Sequence, residues 1–281
     1  MLQKLRENIY YLPQDPKTDR PALGLIWGTD YSLVVDSGNS PKHVRDFLRE
    51  TEKMNIPPIK YVVITHHHWD HIFGIQEMGA ITIAHEKTKE VVDKWKQRSF
   101  RDEDLEEMKE EGLLGDFSIA CIKSEIPHRE NFKIGNIDQV YQDFLEIDLG
   151  GTLCNLYHVA GPHTDDSTII HVPQQKVMFL GDCVYNTRID GKLAYDREKL
   201  FAMMDKIEKY PGDHYVISHE PLWDRKEIVE LWGQLKNTSG VVGEDTSLET
   251  AKGNFIQSMK REPTEDEKNF LDYFVNWNQV K

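Results

Sequence analysis

The chain has 281 residues and a formal charge of −14, from 34 Lys and Arg against 48 Asp and Glu. That acidic balance excludes a surface built for nucleic acid or for an anionic membrane, both of which need clustered Lys and Arg. With 39% hydrophobic and 10% aromatic residues the chain has material for a sizeable core, which excludes intrinsic disorder.

No apolar stretch approaches the ~18 residues of a membrane span, and Met1–Asp19 lacks the apolar segment of a secretory leader. Cys121, Cys154 and Cys183 show no metal-site or disulfide spacing. A reduced, cytoplasmic compartment is therefore expected.

In chain order, Ala22–Trp27 and Ser32–Asp36 read as a β-hairpin around Gly28–Tyr31. Ser40 and Pro41 open a helix as N-cap and first helical residue, with Val44, Phe47 and Leu48 on one face. Pro57 and Pro58 break it. Ile59–Thr65 and Gly79–Ala84 read as strands. Glu86 to about Glu111 is charged and helical in pattern, anchored by Val91, Val92, Trp95, Leu105 and Met108. Short strand-like runs are expected at Phe117–Ile122, Gln139–Ile147, Thr152–Val159, Thr168–Val172 and Val177–Leu180. Glu198–Tyr210 is an amphipathic helix with Leu200, Met203, Met204 and Ile207 inward, and His214–Ser218 a last short strand. Helical patterns follow at Lys226–Leu235 and Glu265–Trp277, with Ser239–Thr246 as a loop between them. Strands alternating with helices predict a layered α/β domain.

Thr65-His66-His67-His68-Trp69-Asp70-His71 carries the chemistry. It follows an apolar strand directly, so it lies at a strand end. In extended backbone, residues two apart point the same way. His66 and His68 therefore reach one metal ion, and Asp70 and His71, past the turn, reach a second. Unpaired imidazoles buried at this density would be costly to desolvate. Imidazole with carboxylate suits zinc, and also iron or manganese. His67 points away and is structural.

This segment resembles the signature of the metallo-β-lactamase superfamily, and further elements occur in that family's order from about residue 22 to 220. They are Val159-Ala160-Gly161-Pro162-His163-Thr164, Phe179-Leu180-Gly181-Asp182, Val216-Ile217-Ser218-His219 and Val34-Val35-Asp36-Ser37-Gly38. A proline separates Gly161 from His163, a departure from the family's Gly-His-Thr.

The resemblance implies an α/β fold, a four-layer αββα sandwich. The whole chain, residues 1–281, would form a single domain of this type. It would have a core at about 8–236, a helical insertion at about 86–115 and a C-terminal helical extension at about 240–281. The resemblance also implies two divalent metal ions, zinc first among the candidates. His66, His68 and His163 would hold one; Asp70, His71 and His219 the other; Asp182 would bridge, and Asp36 would support a ligand from behind. Asp182 in place of the cysteine of the true β-lactamases moves the expectation away from β-lactams, with Cys183 a buried neighbour. His68 excludes the flavodiiron branch, which carries glutamate there.

The reading is a metal-dependent hydrolase whose metal-bridging hydroxide cleaves a small ester, thioester, lactone or amide, with Asp70 also moving the proton. A mononuclear-iron oxidoreductase acting on sulfur and a phosphodiesterase are the alternatives. No serine-nucleophile or phosphate-loop motif is present. Trp69 and Tyr185 are candidates for the substrate pocket, with Asn186 and Arg188 near its mouth and Tyr185 a donor to a developing oxyanion. Phe270, Tyr273, Phe274 and Trp277 read as core packing. The partner is a small-molecule substrate, with no nucleic acid and no membrane. The 86–111 segment is a lid, a homo-oligomer contact or a solvated insertion.

Overall fold

A computed structural model describes residues 1–281. It opens with β1 (Gln3–Arg6), β2 (Ile9–Leu12), β3 (Leu23–Trp27) and β4 (Ser32–Val35), an antiparallel meander. Next come α1 (Pro41–Thr51), β5 (Ile59–Val63), two single-turn helices, α2 (Trp69–Ile72) and α3 (Ile75–Met78), and β6 (Ile81–His85). Helices α4 (Glu86–Trp95), α5 (Asp102–Glu110) and α6 (Asp116–Glu125) precede β7 (Gln139–Tyr141). These seven strands form one sheet in sequence order, with β4 to β7 parallel.

The second sheet draws on β8 (Phe144–Asp148), β9 (Leu153–His158), β10 (Thr168–Val172) and β11 (Val177–Gly181). A small hairpin, β12 (Thr187–Ile189) and β13 (Lys192–Ala194), and α7 (Arg197–Glu208) lead to β14 (His214–Ile217) and β15 (Trp223–Asp224). Its order is β15-β14-β11-β10-β9-β8, with only the β11–β14 pair parallel. Three helices close the chain: α8 (Arg225–Val242), α9 (Leu248–Met259) and α10 (Glu265–Val280).

Strand alternation generates the layers. Val62 of β5 faces a cluster shared with α1 to α6, while Val63 faces a cluster shared by both sheets. In β11, Val177 and Phe179 enter that middle cluster, whereas Met178 and Leu180 pack on α7 to α10. Three buried clusters thus separate four layers, helices–sheet–sheet–helices, as expected from sequence. Ser40 caps α1 through its hydroxyl, which accepts from the His43 N–H (3.0 Å), and Pro41 opens the helix.

Several local expectations are corrected. Phe117–Ile122 is not a strand but lies within α6, because Ile119, Ile122 and Ile126 recur at i, i+3 and i+7 and are buried together. The run of helices after β6 therefore ends at Glu125. Gln139–Ile147 is two strands in different sheets, broken at Gln142–Asp143. Strands β1, β2, β12, β13 and β15 lay outside the expected set. The last interior helix, α8, continues to Val242, where Gly243 takes a positive φ of 52°, so the C-terminal extension starts after it. No helix is long and apolar enough to cross a membrane.

The residues expected to form the site gather at one edge. Asp36, His66, Asp182 and His219 each follow β4, β5, β11 or β14 within three residues, at the C-terminal ends of parallel strands. Backbone bonds stitch these ends together: the Thr168 N–H donates to the Thr65 carbonyl (2.8 Å) and the Ser218 N–H to the Gly181 carbonyl (3.2 Å). Gly181 sits at φ +56° with the Thr65 side chain 2.7 Å from where a Cβ would stand. Only glycine meets both demands there, so the two ligand-bearing loops can approach closely.

Candidate metal centre

The extended backbone after β5 aims His66 and His68 inward, and α2 begins at Trp69. A helix rotates about 100° per residue, so Asp70 and His71 face the centre while Trp69 and Ile72 face away. Trp69, a candidate for either the pocket wall or the core, is in the core, 5% exposed and edge-on to Phe73 at 5.7 Å. His163 arrives from the β9–β10 connection.

The donor atoms fall into two sets, His66 with His68 and His163, and Asp70 with His71, Asp182 and His219, each within 4.8 Å internally. In the first, His68 Nδ1 and His163 Nε2 are 2.9 Å apart. In the second, Asp70 Oδ2 lies 3.2 Å from His71 Nε2 and 3.1 Å from His219 Nε2. Asp182 Oδ2 stands between the sets. It is 3.8 Å from His66 Nε2, 3.7 Å from His163 Nε2, 3.5 Å from His71 Nε2 and 3.4 Å from His219 Nε2. Ligands held about 2.0–2.1 Å from a tetrahedral zinc would be about 3.3 Å apart, the spacing found here. His66 Nε2 and Asp182 Oδ1 are buried without hydrogen-bond partners, a costly arrangement unless a cation takes their lone pairs. The residues fit two divalent ions: His66, His68 and His163 on one, Asp70, His71 and His219 on the other, and Asp182 on both.

Outer partners orient these ligands. Asp36, itself at φ +62°, accepts from the Thr65 N–H (2.8 Å) and the Thr65 hydroxyl (2.9 Å). His71 Nδ1 donates to Asp36 Oδ2 (2.8 Å), which fixes the tautomer and leaves Nε2 facing the centre. His163 Nδ1 donates to the Asn186 carbonyl (2.9 Å), freeing its Nε2. His67 turns away to Asp166 (2.9 Å), which also accepts from the Thr88 hydroxyl of α4 (2.8 Å), so the insertion braces the histidine segment. Sequence reasoning missed Asp166, Thr88 and Asp19. Asp19, at φ +58°, lies 3.6 Å from His219 Nδ1 on the side away from the centre. Its Asp-Arg turn context carries no motif that could have flagged it.

Charge sorts the two sets. Burial, then neighbouring imidazoles, holds His66 well below its ordinary pKa. Burial and His163 push His68 down to about 3, and burial lowers His163. These three stay neutral. Burial alone would lower His71 and His219, but Asp70, Asp36 and Asp182 raise His71 well above its usual value, and Asp182 and Asp70 raise His219 to about 11. Burial would raise the Asp182 and Asp70 carboxyls, yet the paired histidines hold both ionised. In the metal-free protein His71 and His219 are thus protonated at neutral pH, and metal must displace those protons. The stability that His219 lends the metal-free fold is full below pH ~6.5 and lost as pH rises towards 11. Calorimetric titration in buffers of different protonation heat should find about two protons released by the Asp70-His71-His219 site. The three-histidine site should release none near pH 7, so affinity at the former rises up to a hundredfold per pH unit. Equal proton counts at both sites would contradict the assignment.

Tyr185 borders the centre, its ring 6.1 Å from that of His163 and 6.3 Å from that of His219. Its hydroxyl is buried without a partner. Burial, then the charges of Asp182 and Glu220, raises its pKa well above the ordinary value, so it stays a donor. Arg188 is exposed on the β12–β13 hairpin, its guanidinium donating to the Gly191 carbonyl (2.7 Å). Cys183 is 1% exposed and burial raises its thiol, so it is a packed neighbour of Asp182.

Residues 22–219 match the family profile described as Metallo-beta-lactamase superfamily, a span that contains all seven candidate ligand residues and ends on the last of them. The chain belongs to the metallo-beta-lactamase superfamily. Among its relatives are the acyl-coenzyme A thioesterase MBLAC2 of Homo sapiens, 22% identical over 70% of this chain and 74% of that protein, and the hydroxyacylglutathione hydrolase of Francisella philomiragia, 25% identical over 67% of this chain and 58% of that protein. The solved metallo-beta-lactamase from Pontibacter korlensis is similar in fold, with a TM-score of 0.59 and 18% identity over 83% of this chain and 97% of that one. This member of the superfamily is a metallo-hydrolase of that fold, with a His/Asp cluster suited to divalent metal.

Proposed function

We propose that the chain hydrolyses a small ester or thioester with two zinc ions in the cytoplasm. The observation that carries this reading is the position of Asp182 Oδ2, 3.4–3.8 Å from a donor nitrogen in each of the two sets, where one carboxylate would serve two ions. Ions so held lower the pKa of bound water and polarise an electrophilic oxygen.

The chain supplies the rest. The three neutral histidines and the ionised carboxylates are pre-set for metal, so little reorganisation accompanies loading. Asp70, with its Oδ2 between His71 and His219, is the carboxylate for proton transfer between water and leaving group. The Tyr185 hydroxyl donates to the oxygen that gains charge as the tetrahedral centre forms. Cleavage breaks the acyl–O or acyl–S bond, the water oxygen joins the acyl carbon, and the leaving alcohol or thiol takes the proton. The thioesterase and hydroxyacylglutathione hydrolase among the relatives favour esters and thioesters over phosphodiesters.

Elemental analysis with a panel of a lactone, a glutathione thioester, a chromogenic β-lactam and bis(p-nitrophenyl) phosphate tests the reading. Two zinc per chain with ester or thioester turnover is expected. One iron per chain with thiol-dependent oxygen uptake would replace it by the oxidoreductase alternative. For Tyr185→Phe we expect unchanged metal content and a kcat lower by about 10²–10³; loss of metal with activity would make the ring merely structural.

A further inference from the structure

Beside the centre lies a cavity of about 450 Å³, large enough for a small organic substrate. Two helix faces build its outer wall. Glu227, Glu230, Leu231 and Gln234 of α8 recur at i, i+3, i+4 and i+7, and Asp266, Asn269, Phe270 and Tyr273 of α10 repeat that spacing. Both helices lie beyond residues 22–219, the segment matched by the family profile. Its inner wall is Val184, Tyr185, Asn186 and Ile217, with Glu220 immediately after the ligand His219.

The lining has one sign of charge. Glu220, Glu227, Glu230 and Asp266 contribute four carboxylates, and no Lys, Arg or His is present. Glu220, Glu230 and Asp266 have no ion-pair partner, whereas acidic side chains elsewhere are commonly paired, as Asp46 is with Arg20 and Glu267 with Arg261. Aromatic rings line the same cavity, Trp223, Phe270 and Tyr273 among them. Carboxylates around ring faces attract a cationic nitrogen and repel phosphate. Tyr185, which lines this cavity and also borders the centre, joins the two.

We infer that this cavity binds the cationic nitrogen of the substrate, an amine or quaternary ammonium group, and so selects positively charged esters or thioesters over anionic ones. The inference rests on the hydrolase reading only for what becomes of the bound molecule. A polyanionic acyl carrier would meet repulsion here, which separates this chain's selectivity from what the name of the human relative states.

Choline and its uncharged carbon isostere, 3,3-dimethyl-1-butanol, share shape and hydroxyl and differ in charge. Calorimetry on the metal-loaded protein at pH 7 should find choline bound about tenfold more tightly, although the isostere is the more apolar of the two. The double variant Glu230→Gln and Asp266→Asn changes two exposed side chains without changing their shape. It should reduce that preference at least about fivefold and leave binding of the isostere unchanged, which also reports an intact fold. Equal or weaker binding of choline, or a preference that survives the double variant, overturns the inference. Turnover of butyrylthiocholine against its carbon-isostere thioester separates the two readings. Charge-dependent binding with neither thioester cleaved overturns the hydrolase reading and keeps the cationic pocket. Cleavage of both with no charge preference in binding does the reverse.

Discussion

Asp182→Ala is expected to lower metal content and hydrolysis together, with activity falling on the order of 10³-fold or more. Metal coordination supplies several kcal/mol of charge stabilisation, and each 1.4 kcal/mol is a factor of ten in rate. One oxygen of Asp182 faces nitrogens of both sets at 3.4–3.8 Å, so its loss removes a ligand from each ion at once. It also leaves His71 and His219 without a carboxylate that holds them protonated in the metal-free state, so both should titrate lower in the variant. Asp182→Asn retains an acceptor but not the charge, and should hold one ion better than two. Elemental analysis after dialysis, with kcat/KM on the same samples, reads both effects. Full occupancy with unchanged activity in the alanine variant would show that Asp182 is not a shared ligand.

The centre was legible in the sequence because its geometry is mostly local. His66, His68, Asp70 and His71 sit within six positions of one strand end, and their spacing alone places them around metal. His163, Asp182 and His219 could be assigned only through resemblance, since nothing local distinguishes a strand-end aspartate that binds metal from one that caps a turn. Trp69 shows where adjacency misleads. It stands next to two ligands in sequence, yet one helical turn carries it into the core. The α6 segment shows a different failure. Its Phe, Ile and Cys content suits a strand, and only the burial of Ile119, Ile122 and Ile126 together declares the helix. The acidic wall of α8 and α10 was hidden for a further reason. Each helix carries an ordinary amphipathic pattern, and the cavity exists only where their two partly polar faces meet the strand ends.

Asp36 separates support of the metal from support of the fold. Its carboxylate holds the Thr65 N–H, the Thr65 hydroxyl and His71 Nδ1, all buried. Asp36→Ala leaves those donors unsatisfied in the interior, at about 1–3 kcal/mol for each orphaned group. It also places alanine at φ +62°, where Asp and Asn are tolerated and Ala is strained. Asp36→Asn keeps the backbone conformation and one acceptor oxygen, but its amide NH₂ must face either Thr65 or the Nδ1–H of His71, donor against donor. The asparagine variant should therefore lose less stability than the alanine variant, which adds backbone strain and more orphaned donors, while losing about 10–100-fold in metal affinity at the Asp70-His71-His219 site. The alanine variant should lose both. The three-histidine site should change less in the asparagine variant, because Asp36 reaches it only through Thr65, whose hydroxyl lies 3.1 Å from His66 Nδ1. Thermal denaturation of the metal-free proteins, set beside metal titration of each site, measures the split. If Asp36→Asn binds the second ion as tightly as the parent, the carboxylate charge behind His71 does not tune that site.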